Sequence, residues 1–352
     1  MSESAVIRKF HARNRKRLLI TTLLAIAALF SILVTLGFGV YNISVSEAIQ
    51  VFFDYITGKK VDYHDELYII NTRLPRGIVA VAIGAGLAIC GVVMQNVMRN
   101  PMAEPYTMGV SSAAFFGVVI AMGYDVSLIP GLSPRLAYIV NAFFFSLIPV
   151  AIILIISRFR TLTSTSMILI GIAIMYVFSS FTQMMLLTLP SETMASAYNW
   201  RVGSLSKVTW ESVKYVLPVV IIASSGLFCL SRKLDMMYMG DRNTQTVGVN
   251  PNRLRIVSMA MVSVMTATIV SFTGTIGFIG LVAPHVARMF VGSVNKYLMP
   301  FSMVIGALFL SLADMIAKIS GASGLPVGVI TSMVGGPLFV YILIKRGKKV
   351  WS

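Results

Sequence analysis

The sequence predicts an all-α fold, a polytopic membrane protein with ten transmembrane helices. Of its 352 residues, 57% are hydrophobic and 12% are charged, and the mean hydropathy is +0.83. A soluble fold of this size needs more polar surface than 29 basic and 13 acidic side chains can cover. The apolar runs are continuous instead of alternating with polar residues, which argues against a transmembrane β-barrel.

Nine uncharged runs are long enough to cross about 30 Å of hydrocarbon as helices rising 1.5 Å per residue. They cover residues 18–46, 77–98, 105–124, 136–157, 161–191, 215–231, 256–287, 297–313 and 319–344. The run 256–287 is too long for one untilted span, and it contains Gly274 and Gly277, which can break a helix. Splitting it at these glycines gives ten helices.

The basic residues support the even helix count. Ten spans place both termini on one side, and both termini are basic, so the positive-inside rule places them in the cytoplasm. This topology puts 20 of the 29 basic residues on the cytoplasmic side. The net charge of +16 therefore reflects membrane topology and not a nucleic-acid partner. The chain is predicted to be a single transmembrane domain over residues 1–352, with a cytoplasmic loop at 232–255.

Several kinds of chemistry find no support in the residue pattern. The glycine–lysine segments 58–60 and 347–349 lack the hydroxyl residue of a P-loop, so the chain has no recognisable ATP site. Cys90 and Cys229 lie inside apolar runs, and the three histidines are far apart in sequence, so no metal site is predicted. Asp314 is the only acidic residue within an apolar run, and Lys318, four residues on, can pair with it on one helix face. The energy for any transport should then come from another subunit.

Two groups of motifs resemble one family, the FecCD/BtuC-type permeases, which are the membrane subunits of ABC importers for iron-siderophores, vitamin B12 and haem. The first group is Arg-Leu-Pro-Arg at 73–76, Gly84, Gly86, Gly91, Gln95 and Asn-Pro-Met-Ala-Glu-Pro at 100–105. The second covers 277–288, Leu-Ala-Asp at 312–314, 325–331 and Gly-Gly-Pro at 335–337. Gly324 departs from the pattern, since the family usually has Glu before Leu-Pro, and this puts an outer-face carboxylate there in doubt.

The resemblance implies a type II ABC importer permease fold made of two inverted five-helix halves, in a prokaryotic cytoplasmic (inner) membrane. It implies three kinds of protein partner: a second copy of the chain or a related permease, two cytoplasmic ABC ATPase subunits, and an extracytoplasmic solute-binding protein. The partner subunits would use ATP, while this chain would bind membrane lipid but no cofactor and would not be an enzyme. The favoured cargo is an iron-siderophore, with vitamin B12 or haem as the alternative.

Three residues are candidates for docking the binding protein at the outer face. Arg73 and Arg76 are expected to precede the second helix and to present both guanidiniums outward. The resemblance implies a similar outer position for Lys318, after the ninth helix. The alternative is that the arginines anchor a helix end at the interface and that Lys318 pairs only with Asp314.

The loop 232–255 resembles the segment that couples the permease to its ATPase. Asp241 is a good N-cap for a short helix that Gly248 would end, and the candidate coupling residues are Asp241, Arg242, Gln245, Thr246 and Gly248. A solvated basic loop that only sets topology is the alternative.

The translocation path is expected between two permease subunits, with an inner gate of small polar residues. By resemblance the gate residues are Asn100, Met102, Ser164, Thr165 and Ser166. Hydroxyls at helix ends also cap neighbouring backbone, which is the alternative for the three residues at 164–166. Gly84, Gly86 and Gly91 are expected to allow close helix packing, and His285 is expected to be a packed histidine and not a ligand.

Two other function classes stay open at this stage. A secondary transporter driven by an ion gradient would act without an ATPase, but it usually needs carboxylates or histidines deep in its helices. A membrane-embedded enzyme acting on lipid-linked substrates would need His, Asp or Arg residues converging near one face, and the sequence shows no such cluster.

Overall fold

A computed structural model describes residues 3–39, 43–160, 162–321 and 324–346 of the chain, and every regular element among them is helical. The α-helices are α1 (Glu3–Thr35), α2 (Val45–Ile56), α3 (Tyr63–Asp65), α4 (Leu74–Val97), α5 (Val110–Tyr124), α6 (Pro134–Phe159), α7 (Ser164–Leu186), α8 (Ser191–Arg201), α9 (Trp210–Cys229), α10 (Ser231–Met236), α11 (Asp241–Thr246), α12 (Pro251–Thr273), α13 (Ile279–Val291), α14 (Asn295–Ile319) and α15 (Val327–Arg346). A π-helical segment, Glu66–Arg73, joins α3 to α4, and 3₁₀ turns lie at Pro105–Met108 and Met237–Met239.

Eight helical stretches within the described residues are long and apolar enough to cross a membrane. They are Ala12–Thr35, Tyr63–Val97, Pro134–Phe159, Ser164–Leu186, Trp210–Cys229, Pro251–Thr273, Asn295–Ile319 and Val327–Lys345. Two further apolar helices, α5 and α13, are shorter, with 15 and 13 residues. Each of the ten predicted segments therefore contains an apolar helix, while ten complete crossings remain a prediction. Lys348 and Lys349, which contribute to the predicted basic tail, lie outside the described residues.

The two short helices have local causes. The predicted run 105–124 divides because Pro105–Met108 forms a 3₁₀ turn and Gly109 adopts a left-handed φ of 84°, so α5 begins only at Val110. The predicted break in the run 256–287 is confirmed, because α12 ends at Thr273 and Gly274 follows with a φ of 71°. Residues 274–277 are not helical, and α13 starts at Ile279.

The second membrane helix begins earlier than predicted. Helical structure is continuous from Tyr63 to Val97, so Arg73 and Arg76 lie inside it and do not precede it. The backbone changes from π to α at Leu74, whose N–H donates to the Ile69 carbonyl five residues back. Arg73 and Arg76 do not mark the start of this helix, because both guanidiniums have partners inside the protein.

Two helices occur where the sequence was read as polar connection. α2 starts with a capping box in which the Glu47 N–H donates to Ser44 Oγ and the Ser44 N–H donates to Glu47 Oε2. Its Ala48 is buried while Phe53 and Ile56 are exposed. α8 similarly fills the connection between α7 and α9. Short helices outside the membrane crossings were missed because apolar run length does not detect them.

The core of the bundle is α4, which packs against α1, α9, α12, α13 and α14. In the most apolar part of its stretch, 83% of the residues are buried, against 17% for α7. A Cβ on Gly84 would lie 2.3 Å from the Gly306 carbonyl oxygen, and a Cβ on Gly91 would lie 1.9 Å from that of Gly280. The predicted packing role of these glycines is thus confirmed, since any side chain would push α4 away from α14 or α13.

Candidate functional site

A cavity of about 1000 Å³ lies at one end of the bundle, between the end of α4 and the starts of α7, α11 and α12. Six of the predicted site residues line it: Asn100, Ser164, Thr165, Asp241, Arg242 and Gln245. The first three were predicted as gate residues and the other three as coupling residues. The structure therefore brings parts of both predicted sets to one cavity, although they come from three separate segments of the chain.

The predicted short helix exists as α11, with different boundaries. Gly240, with φ 94°, occupies the N-cap position, and Asp241 is the first helical residue instead of the cap. The Asp241 side chain pairs instead with Arg255 and Arg99. Its carboxylate serves as a bridge between helices, so the N-cap prediction for this residue is wrong. The helix ends at Thr246, and Gly248 follows in the left-handed region at φ 81°, as a helix end there predicts.

Asp241 connects α11 to two other segments. Arg255 of α12 donates from Nη2 to both carboxylate oxygens, at 2.8 and 3.1 Å, and Arg99 at the end of α4 also pairs with Oδ1. The Arg255 side chain is 2% exposed, whereas that of Asp241 is 45% exposed. A movement of α11 would therefore be transmitted to α4 and α12 through charge-assisted hydrogen bonds.

Arg99 and Arg255 were treated in the sequence only as topology charges. Arg99 lies in the left-handed region at φ 45°, a conformation uncommon for residues other than glycine. The Asn100 N–H donates to the Gln95 carbonyl at 3.2 Å, closing the end of α4 around Arg99. Spacing along the chain gives no signal for these partners, because Arg99 and Asp241 are 142 positions apart.

Buried polar contacts anchor the segment that leads into α11. Thr244 is fully buried and donates from Oγ1 to the carbonyls of Met236 and Gly240, at 2.8 and 2.7 Å. Asp235 of α10 accepts the N–H of Asn295 at 2.9 Å, which ties this segment to the start of α14. Burial raises the pKa of Asp235 above its ordinary value, while the hydrogen bonds from Asn295 act in the opposite direction.

The other predicted residues at this end do not line the cavity. Met102 is exposed, and its N–H donates to Asn100 Oδ1 at 2.9 Å. Ser166 shares a hydrogen bond with Thr163, whose side chain also accepts the Ser166 N–H at 3.1 Å, so Ser166 belongs to the cap of α7. Thr246 donates to the Asn243 carbonyl within α11. These contacts are local, and the hydroxyl that caps the start of α7 is that of Thr163.

The docking candidates lie at a different site, where the prediction of two outward guanidiniums is wrong. Arg73 is 5% exposed, and its Nη1 donates to the Leu36 carbonyl at 2.6 Å. It ties the start of α4 to the turn after α1. Leu36 directly follows the last residue of α1, where backbone carbonyls lack helical partners, so its carbonyl can accept from Arg73.

Arg76 and Lys318 converge on Asp314. Arg76 donates to Asp314 Oδ1 from Nε at 2.9 Å and from Nη2 at 2.8 Å, and Lys318 lies 3.3 Å from Oδ2. Asp314 is completely buried. The predicted pair of Asp314 and Lys318 is confirmed, and Arg76 is its third member. Lys318 also donates to the Thr35 carbonyl at 3.3 Å, so the cluster joins α14, α4 and α1.

A second cavity, of about 300 Å³, reaches this cluster from the surface. Arg76 and Lys318 contribute to its lining, together with Trp200, Ser206, Lys207 and Gly324. Lys207 is exposed, and the sequence reading did not select it. Gly324 adopts a left-handed φ of 79°, and a Cβ there would lie 3.2 Å from the Ala317 carbonyl oxygen, which explains why glycine suits this position.

His285 and the two cysteines behave as structural residues. His285 is 4% exposed, its Nδ1 lies 2.7 Å from the Leu281 carbonyl oxygen, and its ring meets the Phe339 ring edge to face. Cys90 is buried and Cys229 is exposed, and both thiols are free. Within the described ranges, no group of three or more His, Cys, Asp or Glu side chains could hold a metal ion.

Comparison with known proteins places these features in a family. The FecCD transport family matches residues 24–345. The Fe(3+)-citrate import system permease protein YfmE of Bacillus subtilis is 33% identical over 344 residues, covering 97% of this chain and all of the relative. The cobalamin import system permease protein BtuC of Halobacterium salinarum is 36% identical over 275 residues, covering 78% of this chain and 72% of the relative. The molybdate import system permease protein MolB of Haemophilus influenzae is 30% identical, covering 93% and 95%.

A solved structure has the same fold. It comes from a chain assigned to a metal-chelate type ABC transporter in an inward-facing conformation, with a TM-score of 0.81 and 28% sequence identity. The match covers 93% of this chain and 99% of the solved one. The similarity therefore extends over nearly the whole bundle.

Proposed function

Because the chain belongs to the FecCD transport family and is a multi-pass inner-membrane protein of the ABC permease class, we propose that it imports an iron-siderophore complex together with separate ATPase subunits. The observation that carries the proposal is the cavity of about 1000 Å³ at the α11 end, which both the predicted coupling helix and the predicted gate residues line. In an ABC importer, the helix that contacts the ATPase should lie beside the part of the translocation path that opens and closes.

The proposed assembly contains two permease chains, identical or related, with the translocation path between them. Two cytoplasmic ATPases bind at the α11 end, and an extracytoplasmic solute-binding protein docks at the opposite end. In this assembly the ten apolar helices all cross the membrane, as two inverted halves of five, and both termini lie in the cytoplasm. The basic residues near the termini and around α11 support this orientation.

The proposed coupling acts through α11 as a rigid element. When the ATPases close on ATP, they displace α11, and its Asp241 pulls on Arg99 and Arg255 at the ends of α4 and α12. Asn100, next to Arg99, and the start of α7 then change their separation across the cavity. Gln245 and Arg242 are the side chains on α11 that would contact the ATPase or the opposing wall.

The proposed docking site is the cavity around Arg76 and Lys318. Carboxylates on a binding protein would first meet exposed Lys207, while Arg76 and Lys318 lie deeper in the cavity and Arg73 supports the backbone beneath. A carboxylate of the binding protein can contact Arg76 without displacing Asp314, because 15% of the Arg76 side chain is exposed.

The cargo class rests on the relatives. Proteins named for Fe(3+)-citrate, cobalamin and molybdate import have similar sequences, so the family handles several metal chelates and an oxyanion. An iron-siderophore is the proposed cargo, and vitamin B12 or haem is the alternative. In this assembly the binding protein selects the chelate before it reaches the permease.

The test is ATP-dependent uptake of a panel of ferric siderophores, haem and vitamin B12 by proteoliposomes that contain this chain, its ATPase and its binding protein. Uptake of a ferric siderophore that needs all three components would support the proposal. Gln245→Ala should lower uptake more than tenfold while ATP hydrolysis continues, whereas Gln50→Ala on the exposed face of α2 should change neither. Lys207→Glu should weaken the dependence on the binding protein, and Lys60→Glu in the loop after α2 should not.

One result would favour the other transport class. Uptake by this chain alone, driven by a proton or sodium gradient and unaffected by the ATPase, would identify a secondary transporter and contradict the proposal. Uptake of only vitamin B12 or only haem would keep the ABC importer and change its cargo.

A further inference from the structure

Two cavities share Arg201, the last residue of α8, in their lining. One, of about 210 Å³, is lined by residues of α5, α7 and α8, including Ser112, Ser179 and Thr182. The other, of about 490 Å³, extends toward Gly328 and Ser332 of α15. The two cavities share Ser111, Arg201 and Thr275, and the residues lining them include no acidic side chain. Together they form a chamber with hydroxyl donors and one cation.

Arg201 differs from three arginines of the candidate sites. Arg76, Arg99 and Arg255 each form an ion pair with an aspartate. Within the part of the chain that the structure describes, no carboxylate lies within ion-pair distance of Arg201. Its guanidinium lies over the ring of Phe115, 5.2 Å from the ring centroid, and Phe115 stacks in turn on Trp200 at 6.3 Å. The aromatic ring orients the guanidinium without neutralising its charge.

The backbone around Arg201 is held in place by close contacts. The Thr275 hydroxyl donates to the Arg201 carbonyl. The Gly328 N–H donates to the Gly203 carbonyl at 3.0 Å, and the Ser204 N–H donates to the Thr273 carbonyl at 2.7 Å. A Cβ on Gly328 would lie 1.9 Å from the Val202 carbonyl oxygen, so α15 approaches this segment as closely as a backbone can. These contacts fix the backbone that carries Arg201, so binding of an anion by its guanidinium needs little further ordering of that backbone.

We propose that Arg201 and the surrounding hydroxyls form an anion-binding station for a ligand that carries several oxygen anions, such as a ferric polycarboxylate chelate. A guanidinium can make two parallel hydrogen bonds to one carboxylate. Ser111 and Ser112 can donate to further oxygens, whereas the Thr182 hydroxyl already donates to the Phe178 carbonyl. A single cation holds the ligand weakly enough to release it toward the next site, as conduction requires. This inference deepens the proposed function and rests on it for the statement that the anion is the cargo.

Direct binding can be measured with a tryptophan of the chain itself. The protein has three tryptophans, so Trp210→Phe with Trp351→Phe leaves Trp200 alone beside Phe115 and Arg201. The full-length chain in lipid nanodiscs would be titrated with gallium(III)–citrate, a non-absorbing substitute for the ferric chelate. We expect a saturable change in Trp200 emission and a dissociation constant at least tenfold weaker in Arg201→Gln, with part of the affinity kept in Arg201→Lys.

The control variant is Arg135→Gln, which removes an exposed arginine that donates to the Lys207 carbonyl and does not line the chamber. It should bind like the parent. Absence of a saturable response in the parent, an unchanged titration in Arg201→Gln, or an equal loss in Arg135→Gln would overturn the anion-binding station.

Transport separates a role in binding from a role in folding. In the complete complex, Arg201→Gln should lower the uptake of ferric citrate at least tenfold and leave the uptake of a neutral ferric trihydroxamate unchanged. Equal loss of both would assign Arg201 to structure and overturn the inference. Failure of the wild-type complex to import either chelate with ATP would contradict the proposed function, while the Trp200 titration would still decide the station.

Discussion

Asp314 and Asp241 are both paired with two basic side chains, in very different surroundings. Asp314 is completely buried in α14, with Arg76 at 2.8 Å and Lys318 at 3.3 Å. Asp241 lies on the six-residue α11 with 45% of its side chain exposed, and it pairs with Arg255 at 2.8 Å and with Arg99. Each cluster pairs one aspartate with two basic side chains, but water reaches the carboxylate of Asp241 and not that of Asp314.

This difference separates a fixed part of the molecule from a movable one. A buried ion cluster cannot exchange a partner for water, so it holds α4, α14 and α1 in one arrangement. The partly exposed Asp241 carboxylate can be solvated when α11 moves, so its pairs should cost less to break than those of Asp314. We therefore expect a rigid frame around Asp314 and a moving element around Asp241.

The largest effect is expected from Asp314→Asn. This change leaves Arg76 and Lys318 buried without a counter-charge, and it should destabilise the protein by about 3–5 kcal/mol. Chemical unfolding in detergent would measure the change. A triple variant with Asp314→Leu, Arg76→Met and Lys318→Met should recover most of the stability, because it leaves no unpaired buried charge. A single variant as stable as the wild type would contradict the buried frame.

The helix packing of the frame gives the next effect. Gly91→Ala should destabilise the protein by about 1–3 kcal/mol, because the new methyl group would collide with the Gly280 backbone. Gly86→Ala is the matched control in α4, since its Cβ would meet only the side chains of Ile269, Val220 and Met265, at 3.3–3.4 Å. Thermal unfolding of both variants in the same detergent should rank Gly91→Ala below Gly86→Ala. The reverse order would contradict the close approach of α4 and α13.

Asp241→Asn should cost less than Asp314→Asn, about 1–3 kcal/mol of stability. The change removes the counter-charge of the buried Arg255 side chain, but water can reach position 241 and an asparagine oxygen can still accept from Arg255. Its effect on function should be larger, with ATP-driven uptake lowered at least tenfold in reconstituted vesicles. Asp54→Asn, which removes an exposed pair with Lys59, is the control and should leave uptake unchanged. Equal uptake in Asp241→Asn and the wild type would remove Asp241 from the coupling path.

The smallest effect on stability is expected at Gln245. This side chain is exposed, so Gln245→Ala should change the free energy of unfolding by less than about 0.5 kcal/mol. Unfolding measurements on the variant that is deficient in uptake would show this directly. A large loss of stability would mean that its transport defect comes from misfolding.

Apolar run length, charge location and the glycines at 274 and 277 predicted the helical class and the break after Thr273. The cap and glycine pattern of 241–248, with the family resemblance, predicted α11. These patterns could not predict which partners the charges have, since these depend on how distant segments pack. Arg73 illustrates the limit, because it looks like an outer anchor in the sequence and is buried against Leu36 in the fold. Arg201 shows the same limit in reverse, because nothing near it in the chain marks it as an arginine that lines two cavities.

The most direct test compares two distances in one assembled transporter. In a background with Cys229→Ser, spin labels at Leu169→Cys and Val247→Cys report the separation of α7 and α11, and labels at Thr72→Cys and Ile319→Cys report the two sides of the Asp314 cluster. We expect binding of ATP to the complete complex to change the first distance and to leave the second unchanged. A change across the Asp314 cluster with no change between α7 and α11 would contradict this expectation.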